Sequence, residues 1–468
     1  MDEIRENLRK FYDLANENRM ISLLFVFSTL FFLLQHTTGI SWDFASYVLN
    51  ARYLFGSGSY FELLRPPLTP LLLGIFSVFG WVASEYVYIF FVSSLYLFSC
   101  VKVSKTLGID RRLFYALSLN PFVLVYALSV GTELLSLALL QLFVHYALSS
   151  QGMKSGLFSG LSSLVRYTNF IYFPVILFSK KIRTVVIFVI TAALVFLPWL
   201  LFNYFFYGHP LMSMLDSFIL TVATRSDIVG PFEPFHLLVS GNYLIPLFLI
   251  WILLKTRDRS LGRKDWVMVL ILVLTLFSYY RIPVKHPRFL FNLVLPLAYF
   301  SSVSLMKYRI RPFFAAAASI AAGLFLAFLI ATSNTSIPDI ILVNPSAYSI
   351  YDGECMLSTN RWVYFNYLGI PAEANPRKSR VGEYVDKGYR IIIFRDQEPD
   401  YAGNVSFLRQ FPVIAEGPDY VMIGNESLCL ETYAVNRTYH EYLNESIFAE
   451  YGYPVEKDPL KIVISGKY

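Results

Sequence analysis

Residues 39–68 read GISWDFASYVLNARYLFGSGSYFELLRPPL, and the way this stretch is threaded decides the fold. It lies between two apolar runs, 20–38 and 84–103, each about as long as a helix that spans a bilayer. Within it, apolar residues at 44, 47, 48, 51, 54 and 55 recur at helical spacing, which predicts an amphipathic surface helix over 44–55. Asp43 stands just before that helix, where an N-cap belongs. The next apolar run, 66–83, follows Pro66-Pro67. It either crosses the membrane or lies along its surface, and that choice flips the side of every loop up to 179–183.

Composition says why a membrane is involved at all. Of 468 residues, 56% are apolar, 17% aromatic and only 15% charged, against about 25% charged in an ordinary soluble domain. Mean hydropathy is +0.51. These values exclude a soluble globular enzyme, a disordered chain and a nucleic-acid partner, and predict a multi-pass α-helical membrane protein. Further candidate spans are 113–130, 134–149, 184–206, 235–254, 266–280, 289–306 and 312–332, with 156–178 interrupted by Arg166. The formal charge of +6 hides an asymmetry. Residues 1–333 carry 27 Lys/Arg and 15 Asp/Glu, whereas residues 334–468 carry 12 and 18. The chain therefore divides into a basic membrane domain, 1–333, and an acidic soluble domain, 334–468.

Basic residues collect in short cytoplasmic loops, and here they fall at 102–112, 179–183, 255–265 and 307–311. All four loops lie inside if 66–83 is a juxtamembrane helix and 156–178 a short hairpin turning near Arg166. That threading has about eleven spanning segments and places 20 Lys/Arg inside and 7 outside. It puts the N-terminus in the cytoplasm and the tail outside the cell membrane. The N-terminal stretch, Met1 to Arg19, is charged and amphipathic, unlike a cleavable signal.

The sequons give the same side independently. Asn334, Asn404, Asn425, Asn436 and Asn444 each open an Asn-X-Ser/Thr acceptor, all in the tail. The nine Asn of the membrane part include none. Cys355 and Cys429 either pair in an oxidising compartment or remain free thiols. Strand-like runs at 339–343, 389–394, 420–423 and 461–464, with amphipathic stretches at 360–368 and 379–387, predict an α/β domain.

The outer loops hold the chemistry. Glu133, in the tight turn Gly131-Thr132-Glu133, puts an acid at the end of an apolar hairpin, an expensive placement that usually marks function. The outer cations are Arg65, Arg166, Arg225, Arg281, Lys285 and Arg288, with His209 and His286. Arg and Lys are the donors a phosphate prefers. Two carboxylates and a set of phosphate-seeking cations suit chemistry on a lipid phosphate at a membrane surface.

The chain resembles the GT-C glycosyltransferases, in the branch of the protein O-mannosyltransferases and the lipid A aminoarabinose transferase. The resemblance covers about residues 20–310 and rests on five pieces in order. They are Trp42-Asp43-Phe44 with Ala51-Arg52; Arg65-Pro66-Pro67-Leu68; Thr132-Glu133-Leu134; and Gly160 through Arg166-Tyr167-Thr168. The fifth is Leu197-Pro198-Trp199, Asn203 and Tyr207-Gly208-His209-Pro210, followed by His286-Pro287-Arg288-Phe289 and Leu295-Pro296.

The resemblance implies a polyprenyl- or dolichyl-phosphate-sugar donor, carrying mannose or another hexose, and transfer with inversion to a hydroxyl. The acceptor would be a lipid-linked glycan, a protein or a membrane lipid. It implies Asp43 as general base and Arg65, Arg166, Arg288, Lys285 and His209 at the lipid phosphate. Glu133 would either order the acceptor or share a divalent ion, Mg or Mn, with Asp43. Asp43 is followed by Phe44 where many relatives carry an acidic pair, so metal-free operation stands beside metal use. Five sequons favour an archaeal-type cell surface. A secondary transporter or polyprenyl-linked glycan flippase is the alternative, although no internal repeat is visible. An oligosaccharyltransferase would carry a Trp-Trp-Asp-like motif in its outer domain, and this tail has none.

Overall fold

The computed structural model describes residues 2–179, 181–221, 232–258, 261–282, 285–332, 351, 354–376, 378–395 and 405–431. They form two compact units. The first comprises residues up to Thr38 and from Leu63 through the last apolar helix; the second joins Gly39–Glu62 to the tail. The first-loop segment, placed by the sequence reading in 1–333, groups here with the tail.

The elements in chain order are α1 (Asp2–Thr38), α2 (Trp42–Leu54), α3 (Leu68–Phe76), α4 (Trp81–Leu107), α5 (Arg111–Ser118), α6 (Pro121–Tyr126), α7 (Glu133–Leu148) and α8 (Gly152–Val165). A 3-10 stretch, Tyr167–Phe178, leads to α9 (Ile182–Tyr207), α10 (Met212–Thr221), α11 (Pro234–Gly241), α12 (Leu244–Asp258) and α13 (Arg263–Arg281). A second 3-10 stretch, Pro287–Leu293, runs into α14 (Val294–Lys307), and α15 (Pro312–Thr332) follows.

Among the described residues, four helices are long and apolar enough to cross a membrane: Arg19–Thr38, Trp81–Leu107, Ile182–Tyr207 and Pro287–Lys307. The pair α11–α12 qualifies jointly but is bent by 90°. Leu68–Phe79, Glu133–Leu148, Tyr167–Phe178 and Pro312–Leu326 are apolar and shorter. The protein is membrane-embedded. At about 1.5 Å per residue, Leu68–Phe79 falls well short of the roughly 30 Å hydrocarbon core.

Two expected spans are broken. The run 113–130 is divided because Asn120 caps α6, accepting from Val123 N at 3.2 Å, and Pro121 occupies its first position. The run 235–254 is divided at Asn242, whose φ is +36°. The two breaks meet, with Asn242 Nδ2 donating to Asn120 Oδ1 at 3.3 Å.

Helices α8 and α9 approach at backbone distance. A Cβ on Gly152 would lie 2.5 Å from the Thr184 carbonyl oxygen, one on Gly156 2.5 Å from that of Phe188, and one on Gly160 2.9 Å from Val195 Cβ. Small residues every fourth position let apolar helices pack closely where lipid supplies no hydrophobic drive between them.

In the second unit, β1 (Leu357–Thr359), α16 (Trp362–Tyr367), β2 (Ala372–Glu373), α17 (Val381–Asp386), β3 (Arg390–Phe394), α18 (Val405–Leu408), β4 (Val413–Glu416) and β5 (Tyr420–Ile423) form an α/β domain. The sheet order is β2-β1-β3-β5-β4, with β1 parallel to β2 and β3, and β5 antiparallel to β3 and β4. Alternation along β3 sends Ile391 and Ile393 into a core with Val381, Val385, Val421 and Ile423. The expected runs 389–394 and 420–423 correspond to β3 and β5, and 360–368 and 379–387 to α16 and α17. The runs 339–343 and 461–464 lie outside the described residues. Cys355 and Cys429 are disulfide-bonded, closing a separation of 74 residues.

Candidate active site

In the second unit, α2 carries Asp43. The helix starts earlier than expected, and Ser41, not Asp43, is its N-cap: the Ser41 hydroxyl accepts from Phe44 N at 3.2 Å. Asp43 lies in the first turn, half-buried, and is released from the capping role. Its neighbours are fixed by packing. Trp42 meets Trp362 edge-on at 4.5 Å and Tyr364 at 5.6 Å. Arg52 donates to the Tyr367 carbonyl at 2.8 Å and covers the Tyr367 ring. Trp42 and Arg52 thus tie α2 to α16.

Sequence reasoning missed Glu62 in the same unit. It is 3% exposed. Tyr60 Oη donates to its Oε1 at 2.5 Å and Ser46 Oγ at 3.3 Å, while the Asn50 amide bonds both its backbone N–H and its carbonyl. Trp362 Nε1 donates in turn to Tyr60 Oη at 3.1 Å. The available signal was an acid inside the otherwise apolar run Tyr60-Phe61-Glu62-Leu63-Leu64.

In the first unit, Glu133 opens α7 and is 2% exposed. Arg166 Nη1 donates to its Oε1 at 3.0 Å and Thr132 Oγ1 to its Oε2 at 3.0 Å. Arg166 follows α8 in extended conformation, where the chain breaks before the 3-10 stretch, and its side chain is 19% exposed. Removing one partner of such a buried pair costs about 3–5 kcal/mol, so Glu133 holds Arg166 in place.

A buried polar network continues from this pair. Asn169 N donates to the Arg166 carbonyl at 2.9 Å. Asn169 Nδ2 donates to Ser136 Oγ at 2.6 Å and Ser162 Oγ at 2.8 Å. Asn292 Nδ2 donates to Asn169 Oδ1 at 3.2 Å and Tyr172 Oη at 3.1 Å, and Tyr172 Oη meets Thr275 Oγ1 at 2.8 Å. Arg288 sits on the same 3-10 stretch as Asn292, half-buried, with its guanidinium over Phe289. His286 caps that stretch, its Nδ1 accepting from Arg288 N at 3.1 Å.

The other expected residues take different places. Arg65 is half-buried just ahead of α3. His209 lies in the turn after α9, where Gly208 has φ +74°, and its Nδ1 accepts from Leu211 N at 3.2 Å. Trp199 and Asn203 stabilise that turn through Ser213, and Trp199 Nε1 also donates to Tyr167 Oη at 2.9 Å, beside Arg166. Lys285 caps the C-terminus of α13, donating to the carbonyls of Tyr279, Tyr280 and Ile282 at 3.0, 2.9 and 2.5 Å. Desolvation pushes its pKa down. A further acid unmarked by sequence, Glu85, is 1% exposed and bonds His36 Nε2 at 2.9 Å.

Among the described residues, no group of three or more His, Cys, Asp or Glu side chains is placed to hold a metal ion. Both Glu133 oxygens already accept from Arg166 and Thr132, which leaves Glu133 ill-suited to a divalent ion.

Solved structures that share this fold are GT-C glycosyltransferases. The structure matches ArnT, the aminoarabinose transferase, from Cupriavidus metallidurans bound to undecaprenyl phosphate, over 86% of this chain and 97% of that one, with a TM-score of 0.59 and 12% identity. The apo form of that protein gives 0.56 with the same coverage and identity. The apo oligosaccharyltransferase of Archaeoglobus fulgidus matches over 81% of this chain and 69% of its own, with a TM-score of 0.53 and 12% identity. No protein-family model and no curated protein sequence matches the chain.

Proposed function

We propose that this chain is an inverting glycosyltransferase that moves a hexose, mannose foremost, from a polyprenyl or dolichyl phosphate to a hydroxyl acceptor outside the cell membrane. The observation that carries the reading is the guanidinium of Arg166, anchored by the buried Glu133, in a fold shared with an enzyme solved with undecaprenyl phosphate. Fold alone does not define chemistry; an arginine held by a buried acid is a preorganised donor for a phosphate.

In this reading Asp43 takes the acceptor proton as the acceptor oxygen attacks the anomeric carbon. The bond from that carbon to the phosphate oxygen breaks on the opposite face, and polyprenyl phosphate leaves. Arg166 and Arg288 offset its negative charge, with Arg65 as a third cation. Glu133 acts through Arg166. Lys285 and His209 support local turns. The eleven-crossing threading places the tail outside, in keeping with the Cys355–Cys429 bond and an oxidising compartment.

Purified protein in liposomes, given radiolabelled dolichyl-phosphate mannose and a membrane lipid extract, should transfer label and release dolichyl phosphate. Asp43→Asn should slow transfer by about 10²–10⁴-fold while retaining donor binding. Wild-type protein that binds no polyprenyl phosphate and turns over no hexose donor would sink the enzyme reading and move the transporter to first place.

A further inference from the structure

Two of the three arginines proposed for the phosphate, Arg166 and Arg288, sit on weak backbone. Arg166 is extended and leads into the 3-10 stretch Tyr167–Phe178, which contains Pro174. Arg288 lies within the 3-10 stretch Pro287–Leu293, which opens on a proline. Such helices have poor hydrogen-bond geometry and seldom run beyond a few residues, and neither stretch fixes its own conformation strongly. Yet a phosphate needs its donors at a set spacing, because catalytic and binding groups work only when held close to one geometry.

We propose that Asn169 and Asn292 are positioning residues that brace the two arginine-bearing segments against each other. The amide of Asn292 bonds that of Asn169 at 3.2 Å. Asn169 lies three residues after Arg166 and Asn292 four after Arg288, so one side-chain bond joins the two segments close to both cations. The brace is anchored at each end. Asn169 Nδ2 has two protons, directed at Ser136 Oγ on α7 and Ser162 Oγ on α8. Ser136 lies one turn after Glu133, so α7 holds Arg166 through its acid and Asn169 through its hydroxyl. Asn292 also donates to Tyr172 Oη, which meets Thr275 on α13. Asn169, Tyr172, Ser136, Ser162 and Thr275 are all buried. Every one of these partners is a neutral group, so the network adds no charge of its own to the site. Its contribution is separation and direction of the two guanidinium groups. This rests on the reading of Arg166 and Arg288 as phosphate donors.

The test is equilibrium binding of undecaprenyl phosphate to the purified full-length protein in detergent, with undecaprenol as the phosphate-free control. Asn292→Leu keeps the branched outline of the side chain and removes the link. We expect it to weaken the phosphate-dependent part of the affinity about tenfold while leaving undecaprenol binding unchanged, and to have little further effect in an Arg288→Gln background. Should Asn292→Leu fail to accumulate as folded protein, Asn292→Ser gives the same comparison without adding apolar bulk. A variant that keeps the wild-type preference for the phosphate overturns the brace, as does one that weakens both lipids equally or whose effect adds fully to Arg288→Gln. Wild-type protein that does not discriminate the two lipids overturns the donor reading itself, and the brace with it.

Discussion

The two units stabilise themselves by different means. Around its sheet the α/β unit follows soluble-protein rules: β3 sends Ile391 and Ile393 into a core, a disulfide closes a 74-residue separation, and ion pairs such as Glu383 with Arg380 and Lys387 are exposed, while its buried acid, Glu62, lies in the first-loop segment. The helical unit has its charges and amides inside, at Glu133–Arg166 and along Ser136, Asn169, Tyr172 and Thr275. Its helices α8 and α9 meet through glycine. In lipid, apolar burial between helices contributes little, so contact distance and satisfied polar groups must specify the packing. In the soluble unit, the same specification comes from excluding water.

That contrast can be broken at its strongest point. Gly156→Leu drives side-chain atoms into the Phe188 carbonyl, which cannot shift without moving α9. We expect no folded helical unit, seen as loss of the monodisperse peak on size exclusion in detergent. Second, Glu133→Ala leaves Arg166 without its buried carboxylate and should destabilise the helical unit by about 3–5 kcal/mol. Glu133→Gln, which keeps an acceptor, should cost less, and thermal unfolding in detergent measures both. Third, replacing Cys355 and Cys429 together by Ser should lower the stability of the α/β unit by about 2–4 kcal/mol and leave the helical unit's melting unchanged; two coupled transitions would contradict the contrast.

The smallest effect concerns pH. Hydrogen bonds from Arg380 and Lys387 hold the exposed Glu383 down to about 2 from its usual 4.5. A depressed carboxyl stabilises the fold above its unfolded pKa and loses that contribution as pH falls through the folded one. Glu383→Gln should therefore lower the α/β unit's melting temperature slightly at pH 7 and flatten its acid sensitivity between pH 4.5 and 2. A variant whose acid profile is unchanged would show the pair to be inert.

Sequence made much of this visible where one residue contradicted its surroundings. Glu133 and Arg166 stand out as charges in apolar runs, and β3 as a run of isoleucines. Their pairing across 33 positions is a tertiary fact that no local pattern carries. Asn169 and Asn292 look like ordinary polar residues because a neutral amide in an apolar stretch leaves little trace. The Asn120-Pro121 break had a legible signal, a cap followed by proline, masked by the apolar continuity of 113–130. The break at Asn242 also had one, Ser240-Gly241-Asn242 with Pro246 beyond, masked in the same way by the apolar continuity of 235–254. Strands β1 and β2 have three and two residues, too few to show an alternation. Asp43 stands where a helix over 44–55 would have its cap; the helix starts two residues earlier, at Trp42, so the cap falls to Ser41.

The joining of Gly39–Glu62 to the tail has a consequence for biosynthesis. Trp362 bonds Tyr60 across 302 positions, and Arg52 reaches Tyr367 across 315. At roughly 5–20 residues per second, the ribosome needs on the order of tens of seconds to deliver α16 after α2 has emerged. Throughout that interval Trp42 and Arg52 await partners that have not been synthesised, while helix after helix enters the bilayer. The segment bearing Asp43 is thus among the first parts of the chain to be made and among the last to reach its final surroundings.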